Sequence, residues 1–255
     1  MSDSRRKDPQ VLLPMRWTTN IVLLLAASFV PARATVIEVG GTIYSDTTWA
    51  GPDTVLVTAS VRVDFEARLT IEPGTVVLFQ PARGLAVNGE FRVQGTETDR
   101  VLFSSSSDTA GGSPQAGQWT GLNLMAPSSG SIDYCDIKYP ADGILTYAGF
   151  LETRHCTVSN FSGRGYYVVG ATAVPQVRVV IDHCVITQTQ PAVVGFGTGV
   201  FVFRGCDVTI RDTDILNCSQ GVEFYGYGTV DLDFDIVNCS LRHHSLRGIY
   251  AHSGG

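Results

Sequence analysis

Beyond Thr35, apolar and polar residues alternate with a period of two in short bursts. Val36-Ile37-Glu38-Val39, Thr54-Val55-Leu56-Val57, Val61-Arg62-Val63, Leu69-Thr70-Ile71, Val76-Val77-Leu78-Phe79, Leu85-Ala86-Val87, Phe91-Arg92-Val93 and Val101-Leu102-Phe103 are rich in β-branched and aromatic residues. Gly40-Gly41, Gly51-Pro52, Pro73-Gly74 and Asn88-Gly89 punctuate them. Bursts of this composition bounded by turn residues predict strands. No ten-residue stretch beyond Thr35 carries a helical period. Ser104 to Gly117 reads as a Ser/Gly/Pro loop, after which Trp119-Thr120-Gly121-Leu122 resumes the strand pattern.

From Ser131 to Ile249 the pattern repeats itself. Cys135-Asp136-Ile137, Cys156-Thr157-Val158, Cys184-Val185-Ile186, Thr213-Asp214-Ile215 and Phe234-Asp235-Ile236 each offer an anchor, an outward residue and a β-branched residue. The anchors are 21, 28, 29 and 21 residues apart. A Gly-apolar pair follows in most units: Gly143-Ile144, Gly165-Tyr166, Gly221-Val222 and Gly248-Ile249. A fixed motif at a period of roughly 20–50 residues marks a solenoid, and alternation makes each unit strand. The reading is all-β: a parallel β-helix in which each coil lays its strands on those of the coil before.

Stacked coils lie about 4.8 Å apart, so equivalent residues form columns. Ile137, Val158, Ile186, Ile215 and Ile236 are expected as one inward aliphatic ladder, and Asn160, Gln188, Asn217 and Asn238 as an amide ladder at a turn. Cys135, Cys156 and Cys184 share the anchor column, while Cys218 and Cys239, each after an Asn, are placed in another. Side chains stacked in parallel are too far apart for disulfides, so these cysteines read as small buried hydrophobes. Cys206 lies outside both columns. No Cys-x-x-Cys spacing supports zinc.

The first 34 residues are expected to lie outside the fold. Met15-Arg16-Trp17, the apolar run Ile21 to Val30 and Ala32-Arg33-Ala34 have the form of a signal peptide cleaved after Ala34, with Met15 as an alternative start. The run is too short to span a membrane. The 255 residues carry 18 basic and 24 acidic side chains, a net charge of −6. Five of the basic and two of the acidic residues precede Thr35, which leaves 13 against 22, net −9, for the mature domain 35–255. An acidic exported chain disfavours a nucleic-acid partner.

Leu69-Thr70-Ile71-Glu72-Pro73-Gly74-Thr75, Leu85-Ala86-Val87-Asn88-Gly89, Val101-Leu102-Phe103-Ser104-Ser105 and Gln118-Trp119-Thr120-Gly121-Leu122, in that order, resemble bacterial secreted right-handed β-helix proteins of the pectin-lyase-like type. The resemblance runs from about Thr35 to the end and implies a right-handed solenoid. It implies little about activity, because such folds serve lyases, hydrolases, esterases, adhesins and non-catalytic scaffolds. Neither the carboxylate set of polygalacturonases nor the arginine pattern of pectate lyases is recognisable. Gly248-Ile249-Tyr250-Ala251 opens a further coil with no capping element after it, so a further C-terminal domain or a partner is expected to cover that end.

Ionisable residues gather in two places. Just before each anchor stand Asp133-Tyr134, Arg154-His155, Asp182-His183, Arg211-Asp212 and Leu232-Asp233. Alternating sign on successive coils predicts an ion-pair ladder; His155, His183 and Asp182 as an acid–base cluster is the other reading. Asp212 and Asp214 flank Thr213, and Asp233 and Asp235 flank Phe234 one coil on. Stacked there, the four carboxylates would repel unless compensated, and Ca²⁺ would relieve the repulsion. His243-His244 is expected in a solvated turn. Tyr134, Tyr139, Tyr225 and Tyr227 are candidate sugar-stacking residues. Two functions stay open: a secreted or cell-surface scaffold contacting polysaccharide or surface glycans without catalysis, and a polysaccharide lyase or glycoside hydrolase acting on acidic polysaccharide.

Overall fold

A computed structural model describes residues 35–147, 149–170, 177–189, 197–227 and 233–254. The expected signal segment lies outside the described residues. Within them there are strands and turns but no helix, and every strand pairing is parallel. The chain is a parallel β-helix whose coils each contribute one strand to three faces.

The first face stacks Thr47–Trp49, Arg68–Ile71, Glu90–Gln94, Ser129–Asp133, Phe150–Arg154, Val177–Asp182, Cys206–Arg211 and Asp233–Val237. The second stacks Val76–Phe79, Val101–Ser105, Cys135–Lys138, Thr157–Ser159, Val185–Thr187, Asp214–Leu216 and Ser240–Arg242. The third stacks Leu85–Val87, Leu122–Leu124, Ile144–Thr146, Arg164–Val169, Thr198–Phe203, Gln220–Tyr227 and Arg247–Gly254. Thr54–Val63 serves the second face with its first half and the third with its second, and Val36–Ile43 pairs beneath it. The Ser/Gly/Pro loop leaves the coil between Val101–Ser105 and Leu122–Leu124.

Alternation sends every second side chain into the tube. Ile137, Val158, Ile186 and Ile215 pair in sequence and are each 0% exposed. Burying an aliphatic side chain of this size contributes about 1.5–3 kcal/mol, so the column is a main source of stability. On the third face Ile144, Tyr166, Val200 and Val222 form the matching inward column. Beside it Gly143, Gly165, Gly199 and Gly221 stack so tightly that a Cβ on each would lie 2.4–2.6 Å from the next glycine's carbonyl oxygen. Only glycine fits there, which accounts for the recurring Gly-apolar pair.

The corners between faces are single residues in the left-handed region. Tyr134, His155, His183, Asp212 and Asn238 turn the chain from the first face to the second with φ of 47–54°. Tyr139, Asn160, Asn217 and His243 do so between the second and third at 55–61°. Positive φ is tolerated best by Asn, Asp, His and Gly, which explains most of these residue types.

This geometry corrects the register expected for the last coil. Asn217-Cys218 and Asn238-Cys239 look alike in sequence but occupy different corners. Asp212 N donates to Val237 O, which places Asn238 on Asp212 at a separation of 26 residues. Ile236 therefore pairs with Ile210 on the first face, and Leu241 continues the Ile215 column instead. Cys239 follows Thr213 in the anchor column, since Ser240 N donates to Thr213 O. Cys218 belongs with Phe161, one place past the second corner. Nor do the amides bond to one another: Asn160 Oδ1 accepts from Thr189, and Gln188 Nε2 donates to Phe161 O. All six cysteines are free, Cys239 half-buried and the others buried.

Candidate functional site

The first corner forms a polar edge along the helix. Asp133, Arg154, Asp182 and Arg211 align in register just before it, as the sign alternation predicts, but Val237 completes the column. Arg154 lies 3.9 Å from Asp133, and Arg211 donates to Asp182 Oδ2 at 2.7 Å. Asp182 is 6% exposed. Its other oxygen lies 2.6 Å from His183 Nδ1. The Arg211 guanidinium holds the Asp182 carboxyl below its ordinary range, against the opposing effect of burial and with help from His183.

The rings of this corner line up on successive coils, Tyr134 stacked on His155 and His183 tilted against it. Tyr134 and His155 have centroids 4.4 Å apart and nearly parallel planes, and His155 and His183 are 5.1 Å apart. Asp212 follows, accepting from Asn238 Nδ2 at 3.3 Å. Asp182, His183 and Asp212 each offer a ligand atom within 4.8 Å of the others. One imidazole and two carboxylates suit a divalent cation. Both oxygens of Asp182 are already engaged, however, so the arrangement works as a network that ties three coils together.

The four carboxylates expected as a calcium site are divided. Asp214 lies on the second face, paired with Ser240 and 4.0 Å from Arg242. Asp233 and Asp235 lie on the first face, in register with Asp207 and Thr209. Asp212 stands at the corner between. The five-residue slip in the last coil separates them: Asp233 and Asp235 precede the corner at Asn238, whereas Asp212 is itself the corner of its coil and Asp214 follows it. His243 takes the second-corner turn, and His244 points inward with both ring nitrogens buried and unpartnered among the described residues. Burial pulls its pKa down.

The third face carries what sequence reasoning missed. Tyr167, Phe201, Glu223 and Tyr250 form one outward column, and Val169, Phe203, Tyr225 and His252 form the next. Phe203 and Tyr225 stack at 5.6 Å, and Tyr225 and His252 at 5.0 Å with planes 6° apart. Guanidinium groups lie over this surface: Arg164 at 4.2 Å from the Tyr167 ring, Arg204 at 5.0 Å from Phe203 and Arg247 at 3.9 Å from Tyr250. Of the expected tyrosines, Tyr225 belongs to this array and Tyr227 lies on the same strand. Tyr134 and Tyr139 sit at the two corners. The signal lay in Gly199-Val200: aligned with the other Gly-apolar pairs it makes Val200 inward and therefore Phe201 and Phe203 outward.

Comparison with known proteins agrees with the architecture. The family model described as "Right handed beta helix region" matches residues 120–255, slightly over half the chain. The Drosophila melanogaster protein named "Protein bark beetle" is 40% identical over 72 residues, which make up 28% of this chain and 2% of that protein. The match thus spans a small fraction of that relative's length. No solved structure matches the chain. Among the described residues no helix is long and apolar enough to cross a membrane.

Proposed function

We propose that this chain, which belongs to the right-handed β-helix family, is an exported scaffold that contacts glycans through its third face. The observation that carries the reading is the pair of outward ring columns on successive coils. Tyr167, Phe201, Phe203, Tyr225 and Tyr250 present apolar ring surface at a fixed repeat, with Arg164, Arg204 and Arg247 among them. The rings are stacked on one another and under guanidinium groups, so their outward edges offer rigid apolar contact to pyranose C–H groups at little entropic cost, and the guanidinium forks bond to hydroxyl or carboxylate oxygens. Parallel pairing sets the spacing, so the surface needs no reorganisation to engage a repeating polymer.

Export rests on the apolar run Ile21 to Val30 and the small-x-small signature Ala32-Arg33-Ala34. Mass spectrometry of the secreted protein should find Thr35 at the N-terminus. For the glycan reading, the test is affinity electrophoresis through gels containing neutral or uronate-rich polysaccharide. Wild type should be retarded, and Phe203→Ala combined with Tyr225→Ala should abolish the retardation. Unchanged retardation in the double variant would remove the third face from the reading.

A second reading has one observation in its favour. Asp182 anchors His183 through Nδ1, which leaves Nε2 free to act as a base. In that case a polysaccharide lyase or glycoside hydrolase would lose activity on acidic polysaccharide in His183→Ala.

A further inference from the structure

Three of the chain's six asparagines open Asn-x-Ser triplets: Asn160-Phe161-Ser162, Asn217-Cys218-Ser219 and Asn238-Cys239-Ser240. Asn-x-Ser or Asn-x-Thr, with x other than Pro, is the acceptor pattern for asparagine-linked glycans on exported chains. All three asparagines are corner residues with φ of 52–56°. The corner accounts for the Asn by itself, since the left-handed region favours it. The pattern becomes a site only where the fold leaves both the amide and the hydroxyl two places on within reach.

The three differ in that respect. Asn160 is half-buried, and its Oδ1 accepts from Thr189 N and Oγ1 at 3.0 and 2.8 Å. Ser162 lies against the end of the Ser/Gly/Pro loop, where a Cβ on Gly117 would come 2.6 Å from its Oγ. Asn217 is half-buried too, and Ser219 is 4% exposed. Both asparagines stand at the second corner, a few residues before the third-face strands Arg164–Val169 and Gln220–Tyr227. An oligosaccharide there would crowd the aromatic columns. Asn238 is exposed, and Ser240 is half-buried beside Asp214 on the outer side of the second face. Asn238 Nδ2 donates to Asp212 Oδ1 at 3.3 Å, which occupies one of its two hydrogens. The other is available for substitution, and the bond to Asp212 survives it. The Asn238 corner joins the first and second faces and leaves the third clear.

We propose that Asn238 is the acceptor for an asparagine-linked glycan, an assignment that rests on the export reading. Asn238 Nδ2 attacks C1 of the first sugar of a polyprenyl-pyrophosphate-linked oligosaccharide. The N–C1 bond forms and the C1–O bond breaks. Pyrophosphate leaves with the bonding pair, and the amide proton passes to a carboxylate of the transferase. The attached glycan stands one coil from Asp212 and two from His183, at about 4.8 Å per coil. It screens the donor-rich edge of the last coils from a polymeric substrate while the third face stays open.

The test is secretion of the full chain from insect cells, followed by peptide-N-glycosidase in heavy-oxygen water and peptide mass spectrometry. Each glycosylated asparagine is then read as a heavy-oxygen aspartate, and the N-terminal peptide reports cleavage after Ala34. The secreted chain should begin at Thr35 and carry the label at Asn238, with occupancy at Asn160 and Asn217 several-fold lower. Ser240→Ala keeps the Asn238 corner and should lose the label there, whereas Ser240→Thr should retain it. A secreted chain that begins at Thr35 with Asn238 unlabelled overturns the proposal and leaves export standing. Label at Asn160 or Asn217 in excess of that at Asn238 overturns it equally, as does label at Asn238 that survives Ser240→Ala. An uncleaved chain retained in the cells overturns export and the glycan together.

Discussion

Arg211 places its guanidinium 2.7 Å from the carboxylate of Asp182 on the preceding coil, and Asp182 is all but buried beneath it. Removing the cation leaves a buried carboxylate with an imidazole as its remaining side-chain partner. Arg211→Met should therefore lower the midpoint of urea unfolding, because it strands a buried charged group. The pH dependence follows from the direction of the Asp182 shift. Its folded-state pKa lies below the unfolded value of about 3.9, so its contribution is complete above that pH and is lost as pH falls through the folded value. Asp182→Asn should flatten that acid limb; an identical acid limb in the variant would exclude Asp182 as its source.

The inward column ranks its members by cover. Ile186 is fully buried with Val158 and Ile215 on either side, so Ile186→Ala should cost about 2–5 kcal/mol through transfer and cavity terms. Leu241 is only partly buried, and its truncation should cost less. Chemical denaturation of the two variants checks the order.

Glycines that look equivalent in sequence should differ sharply. A methyl at Gly165 would lie 2.6 Å from Gly199 O and from an Ile186 methyl, while one at Gly248 meets nothing within 4 Å. Gly165→Ala should destabilise by about 1–3 kcal/mol or more, the range for overpacking, and Gly248→Ala by far less. Thermal melts of the pair would show it.

The thiols should be silent in the folded state. Burial pushes Cys206 and Cys218 up to about 12 and raises Cys135 well above the ordinary thiol range, so none of these supplies thiolate at neutral pH. Cys239, half-buried, should be the first to react with a maleimide; the buried five should follow only on unfolding. Early labelling of Cys135 would contradict its place in the tube.

The division of Asp212, Asp214, Asp233 and Asp235 between corner and faces bears on calcium. Asp214→Asn with Asp235→Asn should leave the response of the melting temperature to millimolar Ca²⁺ unchanged. A wild-type gain that this double variant loses would restore the stacked site.

The architecture was legible because alternation, punctuation and coil period are all local signals. Ile137, Val158, Ile186 and Ile215 could be placed from their anchors alone, as could the sign sequence Asp133, Arg154, Asp182, Arg211. The last coil was misread because both corners demand the same backbone conformation and both accept Asn followed by Cys. A motif that recurs within one turn of the helix cannot by itself say which turn it marks. The aromatic face was hidden for a related reason: in Val200-Phe201-Val202-Phe203 both sides of the strand are apolar, so hydropathy gives no phase.

The left-handed corner at Tyr134, His155, His183, Asp212 and Asn238 acts as a filter on what an outer edge of this molecule can become. A backbone conformation that favours imidazole, carboxylate and amide stocks that edge with donor atoms, whether or not any ligand has selected them. Tandem copying of a coil would copy the filter with it, so each duplication adds one more donor in line with the last. Acquiring an ion or a substrate there requires no new loop. It takes only a change of one side chain for another that the same conformation already admits.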